Sequence, residues 1–191
     1  KPYSGEVERK YPDGKLLGIA TVKDGKFNGK SYEYYENGKL KIEENYVNGK
    51  SEGVSKVFYP NGKVKYETPY KNDKKEGVEK FYSENGILMS EIPFKNDVVI
   101  GVAKVYNAQT GKLEYEENLV NGKRNGLSKK YYPSGKVLNE INFKDDKEEG
   151  IMRVYYETGK LQGEIPYKNG KVEGVVKAYD ENGKLIEQAT Y

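Results

Sequence analysis

The chain has no cysteine, no histidine and no tryptophan among its 191 residues. Without cysteine there is neither a disulfide framework nor a thiolate metal site, and the redox compartment stays open. Without histidine the usual general base and the commonest metal ligand are both missing. No apolar run approaches the ~20 residues of a membrane-spanning helix. Nor does one sign of charge dominate: 33 Lys and Arg are interspersed with 30 Asp and Glu for a net charge of +3, which makes nucleic acid an unlikely partner. Apolar content of 35% and a mean hydropathy of −0.94 are low for a deep core. The 19 tyrosines nevertheless argue against disorder, and a thin, repeat-stacked structure reconciles the two.

What is present in abundance is glycine, placed at a fixed period. Gly5, Gly29, Gly53, Gly77, Gly101, Gly126, Gly150 and Gly174 open eight units of 24 residues, one of them lengthened to 25. A second glycine follows at unit position 10, as Gly14, Gly38, Gly62, Gly86, Gly135, Gly159 and Gly183, and at position 11 in the lengthened fifth copy, as Gly111. The whole of 1–191 therefore reads as a single repeat array, with residues 5–28 as an atypical N-terminal cap.

Within the unit at 53–76, positions 2 to 7 and 11 to 18 are rich in Val, Tyr and Phe, and each run is bounded by Gly, Pro, Asn or Asp. That is the pattern of two strands and two tight turns, and eight units predict about sixteen strands in an antiparallel β-meander. The fold class is all-β and elongated, roughly 75 Å long at the usual strand spacing. The turn at 59–63, Tyr-Pro-Asn-Gly-Lys, suits a three-residue loop with a bulged glycine. The rival two-residue turn changes the register by one and swaps the faces.

Apolar bookkeeping favours the three-residue loop. It puts position 2 (Val54), position 6 (Phe58), position 12 (Val64) and position 18 (Tyr70) on one stripe, whereas the rival sets Lys56 beside Glu67. Position 7 (Tyr11, Tyr35, Tyr59, Tyr132, Tyr156) then falls on the opposite face, with tyrosines exposed. In the second turn, Asp73, Asp97 and Asp146 stand where other copies have glycine, a substitution that the left-handed backbone tolerates.

Some copies depart from the rule. In the fourth, Ile87 replaces the turn lysine and Val98, Val99 and Ile100 replace the charged link; in the fifth, one residue is inserted within 107–111. Glu8, Arg9 and Lys10 in the first copy, and Ala178, Asp180 and Gln188 in the last, read as edge protection.

No catalytic, cofactor or metal site is expected. Glu67 and its equivalents recur in register, as a structural ladder does. The acidic run of Asp145, Asp146, Glu148 and Glu149 is interrupted by Lys147 and reads as a solvated turn. The order Gly-apolar-x-Lys-x-Tyr-Tyr-x-Asn-Gly-Lys-Leu, then Glu, then Tyr-Lys-Asn-Gly-Lys, resembles the MORN repeat variant of bacterial YwqK-like proteins over essentially the whole chain. The resemblance implies β-hairpins without catalytic residues, and an antitoxin-like role. It also implies Trp at position 3, where this chain has Ser31, Ser55, Glu79, Ala103, Ser128, Met152 and Val176.

The functional expectation is a non-enzymatic scaffold for protein–protein interaction. The alternative is a surface or periplasmic module that binds glycan or lipid headgroups through tyrosine rows. Candidate partner-binding residues are Tyr35, Tyr59, Tyr132, Tyr156, Ile87, Val98, Val99 and Ile100. The chain opens on Lys1 and not Met, which points to a removed leader or an expressed fragment and favours an exported location over the cytoplasm.

Overall fold

The computed structural model describes residues 1–191 and contains strands and turns but no helix. Its contacts divide it into two compact units, Lys1–Val98 and Val99–Tyr191. The first unit carries β1 (Gly5–Lys10), β2 (Leu16–Lys23), β3 (Lys26–Tyr34), β4 (Leu40–Val47), β5 (Lys50–Ser51), β6 (Gly53–Phe58), β7 (Val64–Lys71), β8 (Lys74–Lys75), β9 (Gly77–Tyr82) and β10 (Leu88–Lys95). The short β11 (Val98–Val99) straddles the division. The second unit carries β12 (Gly101–Tyr106), β13 (Leu113–Val120), β14 (Lys123–Arg124), β15 (Gly126–Tyr131), β16 (Val137–Lys144), β17 (Lys147–Tyr155), β18 (Leu161–Lys168), β19 (Lys171–Val172), β20 (Val175–Tyr179) and β21 (Leu185–Thr190).

In both units each long strand pairs antiparallel with the next long strand in sequence, which is the predicted meander. There are 21 strands instead of sixteen because the link after the second turn also pairs. Lys74 lies opposite Lys71, and the opening glycine, at φ +121° in Gly77, then breaks the strand.

Both turns follow from their residues. In the first, Tyr59 N–H donates to Lys63 O and Gly62 N–H to Tyr59 O, each at 2.8 Å, with Gly62 at φ +90°. This is the three-residue loop with a bulged glycine. The second turn has two left-handed residues, Asn72 at φ 49° and Asp73 at φ 68°. The aspartate does more than tolerate that backbone, because its Oδ1 accepts the Ser51 N–H of the preceding repeat at 2.6 Å, and Asp97 and Asp146 do the same for Lys75 and Arg124.

The expected stripe is corrected. Phe58 does pair with Val64, but a β-bulge at Lys65 then shifts the register, so that Val57 faces Tyr66, Lys56 faces Glu67 and Val54 faces Pro69. The loop was right and the face was not. Position 12 joins positions 2, 4 and 6, while positions 14, 16 and 18 turn to the other side with positions 3 and 5. That second side holds the buried residues: Ala20 and Thr68 in the first unit, and Ser128, Ile141 and Phe143 in the second. Tyr66 stacks on Phe81 across repeats with ring centroids 4.9 Å apart. Position 2, expected inside the stripe, is exposed in the third to eighth repeats.

Candidate interaction surface

Tyrosine supplies a large apolar ring and one hydroxyl, so a regular tyrosine needs a regular partner. At position 7 that partner is a backbone carbonyl one repeat on. Tyr11 donates to Tyr34 O, Tyr35 to Phe58 O, Tyr59 to Tyr82 O, Tyr132 to Tyr155 O and Tyr156 to Tyr179 O, at 2.6 to 2.8 Å. These rings, expected to be exposed, are half-buried, because the hydroxyl draws each one down between repeats. The ammonium groups of Lys41 and Lys65 lie 5.8 and 5.4 Å from the Tyr35 and Tyr59 ring centroids.

The bulge brings the lysines of position 4 against the glutamates of position 15. Across the first unit the row runs Glu43, Lys56, Glu67, Lys80 and Glu91; across the second it runs Lys104, Glu116, Lys129, Glu140, Arg153, Glu164 and Lys177. Ion pairs at 3.6 to 3.8 Å join Lys56 to Glu67, Lys104 to Glu116 and Arg153 to Glu164. The same glutamates accept the position-6 hydroxyls: Tyr82 to Glu67, Tyr131 to Glu116, Tyr155 to Glu140 and Tyr179 to Glu164. Burial, and then the bond to Glu116, pushes the Tyr131 phenol up to about 12. Burial, and then the bond to Glu44, does the same for Tyr46. The ladder is a lattice of alternating charges tied together by ion pairs and tyrosine hydroxyls.

Beside this lattice runs an apolar row. Val54 and Val78 in the first unit, and Val102, Leu127, Ile151 and Val175 in the second, keep between 37 and 46% of their surface exposed. Their cross-strand partners include Pro69, Pro93 and Pro166. Pro69 and Pro166 pack toward the opening glycine of the next repeat: a Cβ on Gly77 would lie 2.9 Å from Pro69 Cγ, and one on Gly174 would lie 3.1 Å from Pro166 Cγ. The row is therefore fixed by backbone geometry.

The irregular candidates are scattered. Ile87 is half-buried in its turn, where its N–H donates to Ser83 Oγ and its carbonyl accepts Ser83 N–H. Val98 and Ile100 are exposed and Val99 is half-buried. Asn107, Gln109 and Thr110 form one side of an open pocket of about 450 Å³ in the second unit. The acidic run is engaged in turn stitching: Asp146 accepts Arg124 N–H, Asp145 accepts the Asn125 amide and Glu149 accepts Asn169 N–H. No group of carboxylates is arranged to hold a metal ion.

Sequence reasoning missed the position-2 row, since the bulge that exposes it has no glycine or proline to mark it. The clue was the alternation of apolar residues at positions 14, 16 and 18, as in Tyr66, Thr68 and Tyr70, which competes with Val64 for the same face.

The model of the MORN repeat variant matches residues 3–24, 27–48, 51–72, 75–96, 124–145, 148–169 and 172–191. The matched segments tile the chain in the register of the hairpins and pass over 97–123, the stretch with the inserted residue. No curated protein matches the chain. MORN repeats are repeat modules commonly used for binding or scaffolding. With seven segments matched and the hairpin geometry in place, the chain belongs to the MORN repeat variant family.

Proposed function

We propose that this chain is a non-catalytic scaffold that holds another protein along its exposed apolar rows, in an antitoxin-like manner. The observation that carries the reading is the position-2 row, Val54 and Val78 in one unit and Val102, Leu127, Ile151 and Val175 in the other. A repeated apolar line beside a neutralised charge ladder offers burial without a charge to desolvate, which suits a protein surface better than an ionic ligand. The tyrosines on which a glycan or headgroup would stack have their hydroxyls bonded inward.

The test is affinity capture with the wild-type chain and with a variant carrying Val54→Glu, Val78→Glu, Leu127→Glu and Ile151→Glu, alongside glycan arrays and anionic liposomes. The expected result is a specific protein recovered by the wild type and lost by the variant. Retention on glycans or liposomes with no protein recovered overturns the reading.

A further inference from the structure

The position-7 tyrosine is a clamp in five repeats; the fourth, fifth and eighth have Ser83, Asn107 and Asp180 there, and of these the fifth alone carries the inserted residue. Asn107 takes the equivalent place: its N–H donates to Lys112 O and its carbonyl accepts Gly111 N–H, just as Tyr59 bonds to Lys63 and Gly62. Its side chain serves the enlarged turn, with Oδ1 accepting the N–H groups of Gln109 and Thr110 and Nδ2 donating to Glu114 at 2.8 Å. The carbonyl that a clamp would reach here is that of Tyr131, the counterpart of Tyr82 and Tyr155. Where the ring would lie there is instead the pocket of about 450 Å³, bounded by Asn107, Glu114, Tyr115, Lys130, Tyr131 and Pro133.

Two further observations fit a vacated ring site. At position 13, where Lys41 and Lys65 attend the rings of Tyr35 and Tyr59, this repeat has Glu114, turned aside to Asn107. The family model also passes over this stretch.

We infer that the fifth-repeat pocket takes a phenol ring from outside the chain: the tyrosine side chain of a partner protein, seated where the other repeats seat their own, with its hydroxyl donated to the Tyr131 carbonyl. The inference rests on the protein-scaffold reading and assigns that partner one anchoring residue. A tyrosine anchor is apt, since it carries much area on few rotatable bonds.

The experiment is a titration followed by amide NMR, with 4-methylphenol, toluene, and a five-residue peptide with a central Tyr or Phe as probes. The wild type is expected to bind 4-methylphenol with a dissociation constant on the order of 1 mM, as suits so small a ligand. Shifts should be confined to 107–115 and 130–133, and toluene and the Phe peptide should bind at least fivefold more weakly. Asn107→Tyr, which supplies the ring internally, should abolish binding while shifts elsewhere stay in place. Lys130→Trp, at the exposed rim, should weaken it tenfold should Asn107→Tyr not fold.

Absence of shifts in the wild type, equal binding of toluene, or unchanged binding by both variants overturns the inference. Binding of 4-methylphenol without binding of the Tyr peptide overturns the protein source. A captured partner that Asn107→Tyr still holds, but the row variant does not, removes this inference and leaves the scaffold reading standing.

Discussion

Replacing Tyr35 by Phe removes one hydroxyl and leaves the ring in place. That hydroxyl donates to Phe58 O at 2.6 Å in a half-buried site. A net hydrogen bond contributes about 1 kcal/mol, and stranding a buried carbonyl costs about 1 to 3 kcal/mol more. Water can reach a half-buried carbonyl, so the loss should be about 1 to 1.5 kcal/mol, without a cavity term. With a urea dependence of ~2 to 3 kcal/mol/M, the unfolding midpoint should fall by about 0.5 M. Tyr66→Phe is the matched control, because the Tyr66 ring stacks on Phe81 across repeats and is not one of the position-7 clamps. Its midpoint should stay within about 0.5 kcal/mol of the wild type. Equal midpoints for the two variants would refute the clamp, and a larger loss for Tyr66→Phe would place the stability in ring packing alone.

Three other predictions follow from the lattice. Tyr46 and Tyr131 have phenols raised to about 12, and Tyr82 and Tyr155 are raised chiefly by burial, so the folded state holds these protons more tightly than the unfolded chain. Their stabilisation is fully present below the ordinary tyrosine value near 10 and is lost as pH rises through the raised values, about 12 for Tyr46 and Tyr131; urea midpoints should fall above pH 10, with part of the phenolate absorbance appearing late. A single absorbance step near 10 with flat midpoints would contradict this. Glu67→Lys puts three cations side by side with Lys56 and Lys80 and deprives Tyr82 of its acceptor; it should cost about 1 to 2 kcal/mol, partly relieved by salt, whereas Glu67→Gln should cost less than about 1 kcal/mol. Gly77→Ala should cost about 2 to 3 kcal/mol, more than Gly62→Ala, because φ of +121° and a Cβ 2.9 Å from Pro69 Cγ act together, while Gly62 has open space. Thermal unfolding ranks the two.

The parts of the fold that are written locally were legible. Glycine spacing gave the repeat, and the residues 59–63 and 71–74 specified both turns, because the left-handed conformation is a property of single residues. Register was not legible to the same depth. The bulge at Lys65 is set by a competition between distant faces: Val64 gains Phe58 on one side while Tyr66, Thr68 and Tyr70 gain Val57, Ser55 and the buried rows on the other. Nothing in the type of residue 65 announces that outcome. The tyrosines were legible as important and not as clamps, since a carbonyl acceptor 23 residues away has no sequence signature. The insertion at 107–111 was visible; the pocket it opens required knowing that Asn107 stands in a clamp's place.

The most direct measurement of the central claim is hydroxyl-radical footprinting of the chain with and without its captured protein partner, read residue by residue. Val54, Val78, Leu127 and Ile151 should lose accessibility in the complex while Tyr35, Tyr59 and Tyr156 keep the values of the free chain. A row that stays open while those tyrosines become protected would contradict it.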